Sequence, residues 1–148
     1  MLGKGIYLAL LLLSISAYSC KPETHWKEVE KYPNGVVKVQ EEYYVEGSDS
    51  IFIYRKVFNP KGGLQLEGPI KNNLREGLWN SYYADGRIWS QATFVEGKSQ
   101  GETLTYYQNG KLRYKGYYTM DEKSGEWEWY DSTGVIQKKV NFDLKIDQ

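Results

Sequence analysis

The sequence has almost no cysteine or histidine: Cys20 and His25 are its single examples. One cysteine cannot form a disulfide within the chain, and structural zinc sites usually take four Cys or His ligands. A serine, threonine or cysteine nucleophile would also lack the histidine partner that common catalytic triads require. We therefore expect no metal site, no cofactor, no catalytic residues and no enzymatic activity.

Charge of one sign is not in excess, because 19 basic side chains balance 19 acidic ones. Without a basic run the chain lacks the electrostatic footprint of a nucleic-acid-binding protein. Phosphate-binding loops are missing too, since Gly62-Gly63 is a turn pair rather than part of a P-loop. Paired carboxylates could indicate a glycosidase acting on envelope glycans. Glu102 and Glu126, however, occupy equivalent positions of a repeat, which favours a solvated edge.

Long apolar runs are confined to the N-terminus. Lys4 precedes an apolar stretch at residues 6–15, too short for a transmembrane helix, which needs roughly 20 apolar residues. Residues 1–19 are therefore predicted to be a helical signal segment. The ending Ala17-Tyr18-Ser19-Cys20 resembles a bacterial lipobox, which predicts lipidation of Cys20 and a tether at residues 20–27. A general secretory signal is the alternative.

This interpretation places the protein in the bacterial cell envelope, at the outer membrane or the periplasmic face. Several acyl chains on one residue anchor a protein firmly, since each buried methylene contributes about 0.8 kcal/mol. With a general secretory signal the protein would instead be secreted.

Aromatic residues and glycines are abundant, with 14 Tyr, 5 Trp, 4 Phe and 15 Gly. The stretch from Gly77 to Lys98 has the pattern of one β-hairpin turning at Asp85-Gly86. Its turn glycine recurs every 24 residues at Gly62, Gly86, Gly110 and Gly134, and Gly35 fits one more unit with a three-residue insertion. Such a period predicts a repeat architecture.

The segment after each turn alternates between apolar and polar residues, as in an antiparallel sheet solvated on one face. We predict an all-β fold: an elongated, curved antiparallel meander of about five tandem hairpins over residues 28–148. Longer polar loops are expected between units. The third apolar position is small in four units, which predicts close approach of a large ring or another segment. These residues are Gly68, Ala92, Gly116 and Val140.

The unit resembles the MORN repeat, and more closely the MORN variant of bacterial secreted proteins. The resemblance rests on Tyr114-Lys115-Gly116-Tyr117-Tyr118, on Gly97-Lys98-Ser99-Gln100-Gly101 and on the turns at residues 82–86 and 106–110. It covers roughly residues 28–146. It implies a protein-binding or phospholipid-binding array, and some proteins with such repeats are described as antitoxins.

The aromatic row has two interpretations. The rings can form the core of a thin single-layer sheet, or exposed rings at Trp79, Trp89, Trp127 and Trp129 can form a binding platform for a protein or a sugar. We expect a non-enzymatic, membrane-anchored module that contacts a protein partner. The alternatives are an antitoxin or immunity-type protein that neutralises an effector, and a carbohydrate-binding module.

Overall fold

The computed structural model describes residues 21–143 of the chain, and these form one open β-sheet of 11 strands. The first six strands are β1 (His25–Lys31), β2 (Val37–Glu46), β3 (Asp49–Phe58), β4 (Leu64–Lys71), β5 (Leu74–Arg75) and β6 (Gly77–Tyr82). The others are β7 (Ile88–Val95), β8 (Lys98–Tyr106), β9 (Leu112–Thr119), β10 (Glu122–Tyr130) and β11 (Ile136–Asn141).

The strands lie in the sheet in chain order, and every neighbouring pair is antiparallel. The two-residue strand β5 is the exception, because it pairs with β4 beside the main path. The predicted antiparallel meander is therefore confirmed. The predicted helical signal segment lies outside the described residues.

The five predicted turn glycines all lie in hairpin turns with left-handed backbone, at φ between 81° and 95°. In each turn the glycine N–H donates to the carbonyl three residues earlier, as in Gly86 N to Tyr83 O at 3.0 Å. A second bond closes the loop, as in Tyr83 N to Arg87 O at 2.8 Å. This is a three-residue loop with the glycine at the left-handed position, where a Cβ would be strained.

The residue before the turn glycine contributes to the turn through its side chain. Asp85 and Asn109 do not have positive φ; their side chains accept hydrogen bonds from the backbone of Arg87 and Lys111, at 3.1 and 3.0 Å. The short polar side chain therefore caps the loop locally.

The connections between units are shorter than predicted. The expected loops at residues 96–101 and 120–125 are two-residue turns, Glu96-Gly97 and Met120-Asp121, and the following residues already belong to β8 and β10. Both residues of the second turn have positive φ, 50° and 73°. Such turns match the twist of the flanking strands, which stabilises tight pairing even without glycine.

The ordered sheet also begins earlier than predicted. β1 starts at His25, inside the segment expected to be a tether, and its ring lies 5.7 Å from that of Tyr43 on β2. All seven residues of β1 are exposed, as befits an edge strand. Within residues 21–143 no helix is long and apolar enough to cross a membrane.

Candidate functional site

The two tryptophans at equivalent repeat positions are buried in the apolar face. Trp79 is 4% exposed and Trp127 is 2% exposed. Trp79 lies between Gly68 of β4 and Ala92 of β7, and a Cβ added to Gly68 would overlap its indole ring. Gly116 has the same relation to Trp127. The prediction that a large ring packs against the small positions is therefore confirmed.

Burial also satisfies the polar atom of each ring. Trp79 Nε1 donates to Pro69 O at 2.8 Å, and Trp127 Nε1 donates to Tyr117 O at 3.1 Å. An indole that packs on glycine and bonds to the neighbouring backbone is part of the core. Trp79 and Trp127 therefore do not form an open platform, because their rings bridge adjacent strands of a one-layer sheet.

The other two candidate tryptophans differ from this pair. Trp89 is 44% exposed. Trp129 is half-buried and stacks on Trp127 at 5.8 Å between ring centroids. The structure therefore keeps both rings accessible, but only Trp129 belongs to a larger aromatic cluster.

That cluster, which we call the aromatic patch, lies at the C-terminal end of the sheet and consists of Tyr114, Tyr118, Trp127, Trp129 and Phe142. Their ring centroids are within 6 Å of Trp127. Two lysine ammonium groups cover it: Lys123 lies 4.3 Å from the Trp127 centroid and Lys138 lies 5.4 Å from that of Trp129. The patch combines large apolar area with two cations that cation–π attraction holds over the rings.

The opposite face carries a row of ion pairs. Glu128 of β10 is flanked in register by Lys115 of β9 and Lys139 of β11, and it forms ion pairs with both. Hydrogen bonds from Lys139, Tyr130 and Lys115 lower the pKa of Glu128 to about 2. A carboxylate held in this way is ionised at neutral pH and unsuited to act as a general base.

A pocket at the N-terminal end of the sheet was missed by the sequence analysis. It lies beside an ion pair in which Arg55 Nε donates to Glu41 Oε1 at 2.6 Å. Arg55 stands 24 residues before Trp79, at the equivalent position of the preceding unit. A charged residue at the position where two later units have a buried tryptophan was the signal that could have revealed this site.

Apart from these surfaces, the sequence predicts a lipidation site at Cys20 and no metal site. Cys20, the predicted lipidation site, lies outside the described residues. Among residues 21–143, no group of three or more His, Cys, Asp or Glu is placed to hold a metal ion.

One open sheet of equivalent hairpins, with rings bridging adjacent strands, defines a β-hairpin repeat protein. Residues 75–96, 99–119 and 123–143 each match the family described as the MORN repeat variant. The C-terminal part of the chain is thus an array of three MORN variant repeats. Repeats of this kind mediate contacts with proteins or with membranes. No curated protein and no solved structure matches the chain.

Proposed function

We propose that this chain is a non-enzymatic interaction protein of the bacterial cell envelope. In this proposal Cys20 carries the lipid anchor and the repeat domain binds a protein partner through the aromatic patch. The observation that carries it is the accessibility of the patch: Trp129 is half-buried and Phe142 is 41% exposed, on a sheet face that no second layer covers among residues 21–143. Trp and Tyr are enriched at the centres of protein interfaces.

The charges around the patch favour a particular kind of partner surface. Lys123 and Lys138 are exposed, and neither is paired with a carboxylate among the described residues. Their ammonium groups can therefore leave the rings and pair with acidic residues of a partner. We expect a partner surface with apolar side chains at its centre and carboxylates at its rim.

Site-specific photo-crosslinking tests this surface in the intact cell envelope. A photoreactive amino acid replaces Trp129 in one variant and Lys115 in a control variant. The two residues lie on adjacent strands and opposite faces, because Trp129 pairs with Tyr114 and Lys115 pairs with Glu128. We expect a discrete protein adduct from position 129 and none from position 115. No adduct from position 129, or the same adduct from both, would contradict the proposal.

The lipid anchor is tested separately by metabolic labelling with palmitate. We expect Cys20→Ala to abolish labelling and to release the protein from the membrane fraction, because the cysteine is the acceptor of the acyl chains. Ser19→Ala, which keeps the cysteine, should retain labelling. Labelling that persists in Cys20→Ala would refute the anchor.

A further inference from the structure

The N-terminal unit breaks the repeat at the position that holds a buried tryptophan in two later units and Thr103 in the unit between them. Trp127 of β10 lies beside Gly116 of the neighbouring strand β9, and Trp79 of β6 lies beside Gly68 of β4. One unit earlier the same two positions hold Arg55 and Glu41, which face each other in adjacent strands. A ring packed on glycine is thus replaced by an ion pair, and Glu41 is only 7% exposed. Less of the sheet face is filled as a result.

The same unit also lacks a backbone hydrogen bond, here called the clamp, that joins neighbouring connector turns in the later units. Gly97 N donates to Arg75 O at 2.9 Å, and Asp121 N donates to Ser99 O at 3.0 Å. No equivalent backbone bond joins Asn73 to β3 within residues 21–143. Instead a side chain links the Asn72-Asn73 turn to β3, since the Arg55 guanidinium donates to Asn73 Oδ1.

The missing ring and the missing clamp leave a pocket of about 520 Å³. This volume lies within the range of small-molecule sites, roughly 300–1,000 Å³. The residues that line it include Lys27, Glu41, Ser50, Phe52, Asn72 and Asn73. Side chains of β1, β2, β3 and the β4–β5 turn therefore meet at one place.

Several polar groups in this pocket have no partner among the described residues. Both contacts of Arg55 with Glu41 go to Oε1, which leaves Oε2 free to accept a hydrogen bond. Lys27 forms no ion pair, although it pairs in register with Glu41. The side-chain amide nitrogens of Asn72 and Asn73 and the Ser50 hydroxyl donate no hydrogen bond among residues 21–143.

We propose that this pocket binds an acidic monosaccharide unit of the uronic-acid type. Lys27, Arg55 and Glu41 together carry one net positive charge, which complements one carboxylate. Lys27 would bind the carboxylate, and Glu41 Oε2 and the two asparagines would bond to ring hydroxyls. The apolar face of the sugar ring would pack against Phe52. The site lies in the N-terminal unit, away from the aromatic patch, so it is independent of the proposed function.

Titration of the ¹⁵N-labelled full chain in detergent micelles with glucuronate tests this proposal. We expect amide shifts concentrated at Ser50, Asn72 and Asn73. Glucose has the same hydroxyls without the charge, and N-acetylalanine has a carboxylate without the hydroxyls. Both should bind at least about tenfold more weakly than glucuronate. Glucose loses the charge-assisted hydrogen bond to Lys27, and N-acetylalanine loses the neutral hydrogen bonds of the ring hydroxyls. Equal binding of either compound, shifts centred elsewhere, or no binding of glucuronate would overturn the proposal.

Two variants make the test specific. Lys27→Gln should weaken glucuronate binding about tenfold or more, whereas Lys31→Gln should leave it unchanged, because Lys31 pairs with Glu28 on the same strand outside the pocket. Glu41→Gly combined with Arg55→Trp introduces the glycine–tryptophan pair found at Gly68 with Trp79 and at Gly116 with Trp127, and should fill the pocket and abolish binding. Unchanged binding in either Lys27→Gln or the double variant would refute the site.

Discussion

At the residue scale, one contact explains most of the core. The indole rings of Trp79 and Trp127 lie directly over the Cα atoms of Gly68 and Gly116, respectively. Each ring leans toward the preceding strand, since Ala92 and Val140 fill the corresponding place on the following strand. The small residues are therefore a steric requirement of the buried tryptophans rather than a consequence of turn geometry.

Gly116→Ala should destabilise the fold by about 1–3 kcal/mol, because the new methyl group overlaps Trp127 in a place with no room for either to move. Denaturant unfolding measures the loss. In a Trp127→Leu background the same substitution should cost markedly less, since the smaller side chain leaves space. Equal costs in both backgrounds would show that the overlap is not the cause.

The ion pairs of Glu128 predict a defined dependence on pH. Its pKa is lowered from 4.5 to about 2, so its stabilising contribution is complete above the ordinary value and disappears as the pH falls to about 2. Glu128→Gln should therefore be less stable than the wild type at pH 7 and equally stable near pH 2. Thermal unfolding between pH 2 and 7 checks this.

The exposed Glu102 provides the control for that experiment, because it forms no ion pair within residues 21–143. Glu102→Gln should follow the wild type across the whole pH range. A Glu128→Gln curve parallel to the wild type would mean that the ion pairs contribute nothing to folding.

At the element scale, neighbouring hairpins are joined by tyrosines at their turns. Tyr83 Oη donates to Tyr106 O at 2.7 Å, and Tyr107 Oη donates to Tyr130 O at 2.8 Å. Tyr32 makes the same bond to Phe58 O. Asn59 and Asp131 occupy this position in the other units and cap their own loops instead. The tyrosine three residues before the turn glycine thus links one repeat to the next.

Tyr107→Phe should cost about 0.5–1.5 kcal/mol, because it removes one hydrogen bond and retains the ring. Tyr117→Phe is the matched control: its ring is 47% exposed, and its hydroxyl has no hydrogen-bond partner among the described residues. Chemical unfolding of both variants compares them. Equal stability of Tyr107→Phe and the wild type would exclude a stabilising role for the bond.

The strands and hairpin turns were predictable because their signals are local. A glycine every 24 residues and alternating polarity predicted both the turns and the buried face. The connectors were not predictable in the same way, since Met120 adopts a positive φ of 50° that its residue type does not favour. Pairing of β9 with β10 determines that conformation.

At the scale of the whole molecule, the sequence predicted the array better than its irregularities. Trp79 and Trp127 are conspicuous in the sequence, but the sequence does not show whether they are buried. Strand register and the neighbouring strands bury these two rings and leave Trp129 accessible. The N-terminal pocket exists because Arg55 and Asn73 leave part of the sheet face unfilled. Such a cavity is a property of several strands together, which a periodic pattern does not contain.

A one-layer array couples each strand mainly to its neighbours, so damage should remain local. Trp127→Ala removes the centre of the aromatic patch, and a large-to-small change of this kind costs about 3–5 kcal/mol. Hydrogen exchange followed by mass spectrometry should therefore show faster exchange in β8–β11 and unchanged exchange in β1–β3. The joint between β4 and β6, where only two residue pairs are in register, should be where the effect ends. Equal acceleration in β1–β3 would show instead that the sheet unfolds as one cooperative unit.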